Sequence, residues 1–563
     1  MPALFRGLLK PRHSSEARQR PGPSDNATHT QQARVVIDAH IEHNSHSIAL
    51  RHLLDEIKDY QITHGSLLKA VNHETENSVP AVPVGVAVFP TAFPRSCFND
   101  ACDLQQAFNR LYAAIAQDEE WLKSVLKDLI KHDHLVSTLW DIHQKTKQDL
   151  RTSNSLTLGI FRSDYMLHSK SRSLDVASRD LSIRQVEMNT LSVAGGVHGN
   201  IVADMHKYLS DADAYATVDP PPVSGMKWPV QPTMPNNSTT VSLVGALQKA
   251  HEEYLRVFSP TVETCILMIV QPLNGNICDE RPIQYSLLNA GIPMFRIIHG
   301  ASVLERTRIG HDQSKALLYV HRSQGADSKA VEYEVSVVYH RAGFEPREYD
   351  DAGTASRLRL ELSRAVKSPS VLSHLSTLKK VQQALTSPGA VERFVSAEDA
   401  VAIRKTFMPI YSLDDSVEGR IGKDIALDPA KARDHILKPC LEGGGHNVFR
   451  ENIATYLSET PNHLWKNHIL MEVIRPPVVQ NMLMTPNGLY KGPVVSELGI
   501  FGCCLWSSGG DENNRDAPKA SRLDFLFNEQ GGWSFKTKAA HVDEMSVVKG
   551  YGCFDSPMLV EHL

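Results

Sequence analysis

The distribution of apolar and polar positions divides the chain into stretches of different character. From Val35 to about Gly65 the pattern is helical and polar, with little apolar periodicity. A stronger stripe runs from Leu104 to about Lys147, where Leu104, Phe108, Leu111, Ile115, Leu122, Leu126 and Leu129 recur mostly at three- and four-residue steps. That spacing buries one helix face and predicts scaffold, not a cofactor site. In the middle of the chain, Cys265–Val270 is a short continuous apolar run, as in a strand buried on both faces of a parallel sheet. A helix is predicted near Pro282–Ala290 and a second strand over Pro293–Ile298, which together make a βαβ unit. Glu332–Tyr339 alternates apolar and polar residues and predicts a further strand. Glu263 to about Arg347 is therefore expected to form a small doubly wound unit inside a larger α/β protein.

Composition narrows the class. The chain has 563 residues, too many for one simple core, so two or more structural units are expected. Hydrophobic residues make up 42% and charged residues 22%, ordinary for a soluble globular protein. The formal net charge of −5 offers no polyanion-binding surface, which argues against nucleic acid. No apolar run is long enough to span a bilayer. Eight cysteines are scattered without a CxxC pair or a secretory hydrophobic segment, so reduced thiols in a cytoplasmic compartment are expected. Residues 1–34 carry six basic residues against two acidic ones among Pro, Ser, Gln and Thr, and are expected to be a disordered extension. An organelle-targeting segment is the other, unfavoured reading of that tail.

Three patterns carry chemistry. The sharpest is Ile436 to Asn447, where a β-type run delivers Lys438, then Glu442, then Gly443, Gly444 and Gly445. Glycines let backbone N–H groups approach an anion, a lysine supplies a point charge for phosphate, and a carboxylate suits a hard cation. A bare glycine turn after an edge strand is the competing reading. Neither a Walker A loop nor a Rossmann fingerprint is present. The second pattern is Arg162-Ser163-Asp164-Tyr165 followed by Gln185–Thr190, where alternation puts Glu187 and Asn189 on one face of an extended segment. Taken alone, that pair reads rather as a solvent-facing polar stripe. The third is a pair of apolar strands, Ile469–Ile474 and Val494–Phe501, each holding one acid, Glu472 and Glu497. An acid there must be paired or bound. Lys379-Lys380 in a helical stretch and Lys536-Thr537-Lys538 near the C-terminus read by themselves as a solvated face and a basic strand end.

In this order, RSDY at Arg162–Tyr165, VEMNT at Val186–Thr190, KKVQQ at Lys379–Gln383, LKPxxEGGGxN at Leu437–Asn447, ILMEVI at Ile469–Ile474 and SELGIFG at Ser496–Gly502 resemble eukaryotic glutathione synthetase, a member of the ATP-grasp superfamily. The resemblance runs from about Val86 to the C-terminus. It implies an ATP-grasp fold with an inserted parallel-sheet substrate domain and a glycine-rich lid. The expected boundaries are 1–34 extension, 35–262 N-terminal body, 263–375 inserted substrate domain and 376–563 nucleotide-binding region. The implied reaction is ATP-dependent ligation of γ-glutamylcysteine to glycine through an acylphosphate, with Mg²⁺ as cofactor, in a homodimer. The alternatives are a ligase using another amine such as β-alanine, or a catalytically silent ATP-binding protein.

The resemblance also implies roles by position. Glu187, Asn189 and Glu442 are the expected Mg²⁺ ligands. ATP is expected at Lys379, Lys438, the glycines 443–445, Asn447, Phe449, Met471, Glu472, Ile474, Glu497, Lys538 and Glu544, besides Glu187 and Glu442. Arg162, Lys438 and Lys536 are the expected catalytic residues. The substrate is expected at Arg162, Ser192, Asn274, Asn276, Glu280, Arg341, Lys536, Val547 and Val548. The chain departs from the family at several of these. A serine after Ser192 is missing, Glu280 replaces Gln, Phe344 replaces Tyr, Phe449 replaces Tyr and Lys536 replaces Arg. A Gly/Ala-rich loop becomes Glu544–Gly550.

Overall fold

The computed structural model describes residues 48–71, 77–151, 156–169, 181–216, 218, 232–310, 314–322, 330–440, 446–507, 517–561 and 563. The expected N-terminal extension lies outside the described residues, as do Glu442 and Gly443–Gly445. The polar helical stretch near the N-terminus forms Ile48–His64. The long apolar stripe is divided among three helices: α1 (Arg95–Ala116), then Glu119–His132 and His134–Arg151. The breaks have a local cause. Asp118 accepts from the Trp121 N–H at 3.3 Å and Asp133 from the Val136 N–H at 3.0 Å, so each aspartate starts a new helix by capping it. Glu119 and Glu120 in the first turn and Lys131 and His132 in the last turn of Glu119–His132 complement its dipole.

Among the described residues, a 13-stranded mixed sheet forms the frame. Four of its strands are central here: β1 (Leu156–Ser169), β2 (Leu181–Asn189), β3 (Gly488–Ser507) and β4 (Asp524–Ala539). They lie side by side and antiparallel, in the order β2-β1-β3-β4. The βαβ unit forms where the apolar runs place it, as strand Thr264–Val270, helix Ile277–Asn289 and strand Met294–Ile298, with the strands parallel. Strand Ala330–His340 runs parallel to Thr264–Val270. These strands do not form a sheet of their own. Val366–Ser368 pairs in parallel with Ala330–His340 on one side and with β1 on the other, so one hydrogen-bonded sheet runs from the βαβ unit into β1–β4.

Alternation then divides β1–β4 into two faces. Tyr165, Leu498, Ile500 and Phe535 point into the largest core cluster, where Phe108, Leu111, Tyr112 and Ile115 of α1 meet them. Gly502 allows the close approach: a Cβ there would lie 2.0 Å from Asn109 Oδ1 and 2.5 Å from Gln105 Nε2 of that helix. The other face is open to a cavity. A separate four-stranded antiparallel sheet, in the order Ile410–Ser412, His468–Glu472, His435–Pro439, Val448–Phe449, provides the facing wall.

Candidate active site

The cavity between the two sheets has a volume of about 750 Å³. Its floor follows from register. Arg162 is paired across strands with Asn189, and Asp164 with Glu187. Asp164 is also opposite Gly499, which is opposite Ser534. Glu497 is opposite Lys536, and Val495 opposite Lys538. Cross-strand partners share a face, so the polar and charged side chains of four strands converge on one surface.

The floor is internally wired. Arg162 donates from Nε to Asp164 Oδ1 at 2.5 Å and from Nη2 to Oδ2 at 2.7 Å, and its Nη1 reaches the Ala194 carbonyl at 2.7 Å. Its guanidinium also lies 6.0 Å from the Phe501 ring. Burial works against that charge, but Asp164, Glu497 and Glu187 outweigh it and keep the guanidinium protonated. Asn189 Nδ2 donates to Asp164 Oδ2 at 3.0 Å, so its amide oxygen is directed away from Asp164. Lys536 Nζ pairs with Glu497 Oε1 at 2.5 Å. Burial raises the Glu497 carboxyl against the pull of Lys536.

Glu187 is the electrostatic centre. Burial pushes its carboxyl up, but Lys379, Lys438, Arg162 and Lys536 together hold it down at about 2. Lys379 Nζ is 3.5 Å away. Lys379 and Lys380 are both buried, at 8% exposure each, so this pair is not the solvated face that its charge suggests. Lys438 comes from the facing wall. Its ammonium donates to the Val186 carbonyl at 3.2 Å, which a bulge between Asp164 and Tyr165 leaves outside the regular ladder. Burial lowers Lys438 to about 8 in spite of Glu187.

Beyond Lys438 the facing wall turns apolar. Phe449, Ile436 and Met471 stand in one cross-strand row and line the cavity with Ile474. Glu472 ends its strand and lies 3.5 Å from Arg475, which is the paired-acid reading of that residue. Asn447 lines the same end. On β4, Lys538 Nζ donates to the carbonyls of Val542 at 2.5 Å and Asp543 at 2.9 Å, tying the strand to the 540–550 loop that carries Glu544, Val547 and Val548. Val547 belongs to a core cluster with Phe554, while Val548 is 51% exposed.

The opposite end is built by loops on the parallel strands. Ser192, with φ 49° in the left-handed region, donates to the Arg341 carbonyl at 3.2 Å. Asn274 Nδ2 and Arg296 Nη2 both donate to Glu280 Oε2, at 2.7 and 2.6 Å. Asn276 meets His198 Nε2 at 3.0 Å. Arg341 donates to Asp279 Oδ2 at 2.9 Å, and Asp279 also accepts from the N–H groups of Gly195 and Val197, which open helix α2 (Gly196–Asp211). Every expected site residue among those described lines this one cavity. Sequence reasoning missed Asp164, Asp279, Arg296 and Ser534. Asp164 was open to discovery, since the alternation that pairs Glu187 with Asn189 also pairs Arg162 with Asp164.

Residues 47–559 match the family model described as the ATP-binding domain of eukaryotic glutathione synthase. The chain belongs to the eukaryotic glutathione synthetase family. It is thereby an ATP-dependent ligase of glutathione synthesis. The glutathione synthetase large chain of Schizosaccharomyces pombe is 31% identical over 518 residues, covering 90% of this chain and 96% of the relative. Glutathione synthetase of Dictyostelium discoideum is 28% identical over 519 residues, covering 91% and 99%. The human enzyme is 28% identical over 512 residues, covering 90% and 96%. Among solved structures, a glutathione synthetase-like effector from Globodera pallida in its apo form aligns with a TM-score of 0.63 at 22% identity, over 91% of this chain and 97% of that one, which shows a shared fold. No helix among the described residues is long and apolar enough to cross a membrane.

Proposed function

We propose that the cavity joins γ-glutamylcysteine to glycine, with ATP bound between the two sheets in the manner of an ATP-grasp enzyme. The observation that carries this reading is the convergence of Arg162, Lys379, Lys438 and Lys536 on Glu187 at the cavity floor. Such a cluster suits a polyphosphate beside an anionic acid, whose mutual repulsion is the main obstacle to phosphoryl transfer. The apolar row of Phe449, Ile436 and Met471 suits the flat face of adenine, with the backbone of Met471, Glu472 and Ile474 reading its edge. Lys379, Lys438 and Lys538 then meet phosphate oxygens, with Asn447, Glu497, Glu544 and Gly443–Gly445 completing the contacts to ATP.

The donor set also fits a hard cation. Glu187 is held ionised, and Asn189 has its amide nitrogen taken by Asp164, leaving oxygen to coordinate. Glu187 and Asn189, with Glu442, would hold Mg²⁺, which when bound neutralises charge on the phosphates. Arg162 orients the donor carboxylate towards the γ-phosphorus, and the carboxylate oxygen displaces ADP to give an acylphosphate. The glycine amine attacks the acyl carbon, Arg162 and Lys536 stabilise the tetrahedral oxyanion, and phosphate leaves. Ser192, Asn274, Asn276, Glu280 and Arg341 hold the γ-glutamyl end, and Val547 and Val548 bound the acceptor. In this reading 263–375 is the substrate-binding insert, and the protein is a cytoplasmic homodimer.

The test is to incubate the protein with ATP, Mg²⁺, γ-glutamylcysteine and a panel of amines including glycine and β-alanine, and to identify the product by mass. Glutathione as the main product supports the reading. A β-alanine product in equal amount overturns the acceptor assignment, and ATP binding without any product overturns ligation.

A further inference from the structure

Ser534 is left over by the roles above. It is 1% exposed, its hydroxyl has no hydrogen-bond partner among the described residues, and it belongs to the cavity wall. A buried hydroxyl without a partner is a cost to the folded state. Two glycines set where that hydroxyl lies. A Cβ on Gly499 would stand 2.9 Å from Ser534 Oγ, 2.6 Å from Asp164 Oδ1 and 2.8 Å from Arg162 Cδ. Three groups therefore crowd closely above Gly499: the acid that clamps the guanidinium, the arginine stem, and the serine. From the other side, a Cβ on Gly199 of α2 would meet Ser534 Cβ at 3.3 Å, so the serine is closely covered there. Along β4, Ser534 lies on the far side of Lys536 from Lys538, away from the apolar row and on the Arg162 side.

We propose that Ser534 is a further donor-binding residue, whose hydroxyl donates a hydrogen bond to an oxygen of the carboxylate that Arg162 holds. The inference rests on the reading of the cavity given above. The strand holds the hydroxyl beside Arg162, and the acid supplies the partner that it lacks among the described residues. The same bond persists to the carbonyl oxygen of the acylphosphate and strengthens as that oxygen gains charge. An anionic oxygen rather than the donor's thiol is the expected partner, because the Arg162 guanidinium draws a carboxylate to this corner.

The experiment is Ser534→Ala, assayed with γ-glutamylcysteine and with the analogue that carries a methyl group in place of the thiol. kcat/KM for both donors is expected to fall about 5- to 30-fold, with KM for ATP unchanged. Tm is expected to stay level or rise, since an orphan hydroxyl is removed. A structural role would instead lower Tm and impair ATP and donor alike. Unchanged kcat/KM, an equal loss towards ATP, or a loss seen with the thiol donor but not with its methyl analogue would each overturn the proposal. If the parent makes no glutathione, the functional reading itself fails. If the parent makes it and Ser534→Ala matches the parent, only the role of Ser534 fails.

Discussion

Lys438 and Asp555 illustrate two ways in which a buried ionisable side chain is put to use. Lys438 is nearly enclosed, and among the described residues its ammonium donates to a bulged carbonyl, so burial leaves its charge thinly solvated. Lys438→Ala is expected to raise KM for ATP by one to two orders of magnitude while changing KM for γ-glutamylcysteine about twofold at most. Initial rates over a grid of both substrates check this, and equal changes in the two constants would contradict a phosphate role. Asp555 lies behind β4, accepting from Thr91 Oγ1 at 2.5 Å, Thr537 Oγ1 at 2.6 Å and the Ser556 N–H at 2.6 Å. Complete burial still pushes its carboxyl up to about 7 against those donors. A raised pKa means that the folded state binds the extra proton, so the contribution of Asp555 to stability is full below about pH 4 and is lost as pH rises through about 7. The Tm of the parent minus that of Asp555→Asn should therefore shrink from about pH 5 to about pH 8. A difference that stays flat across that range would show that the carboxyl does not titrate there.

Elements with an unambiguous period were legible. Cys265–Val270 and Pro293–Ile298 are short, apolar and separated by a helical stretch, and they form as a parallel pair. The stripe from Leu104 predicts helix, but periodicity does not register the aspartates that divide it, because Asp118 and Asp133 interrupt only one residue each. The charge of Lys379-Lys380 suggests solvent, and burial overrides it because carboxylates, Glu187 beside Lys379 and Asp414 beside Lys380, offset the hydration that is lost. Among site residues, those in motifs with several polar positions were found. Ser534 was not, because one serine in an apolar strand carries no signal until Gly499 is seen across from it. Gly502 is a tighter case of the same kind. Gly502→Ala should cost about 1–3 kcal/mol in urea unfolding, since Asn109 is already bonded to Asn528 at 2.8 Å and has little freedom to withdraw. A loss below a few tenths of a kcal/mol would mean that α1 is able to lift off β3 cheaply.

At the scale of the whole molecule, the family match begins at residue 47 and reaches residue 559. Removing Met1–Arg34 is accordingly expected to leave kcat, both KM values and Tm unchanged, checked on purified full-length and shortened protein, and a fall of more than about threefold in kcat/KM would assign the segment a role in the body. The large sheet is the other feature at this scale. It carries the floor residues on β1–β4 and, without a break, the parallel strands whose loops build the opposite end of the cavity. Of the departures that the resemblance implies, those after Ser192 and at Phe344 fall in loops and Glu280 falls in the helix Ile277–Asn289, all around that end, while Glu544–Gly550 is a loop beside Lys538. None of these positions belongs to a floor strand. A lineage that retains this sheet keeps its phosphate chemistry while such loops drift, so a new acid or amine preference is within reach of small steps that never pass through an inactive ancestor.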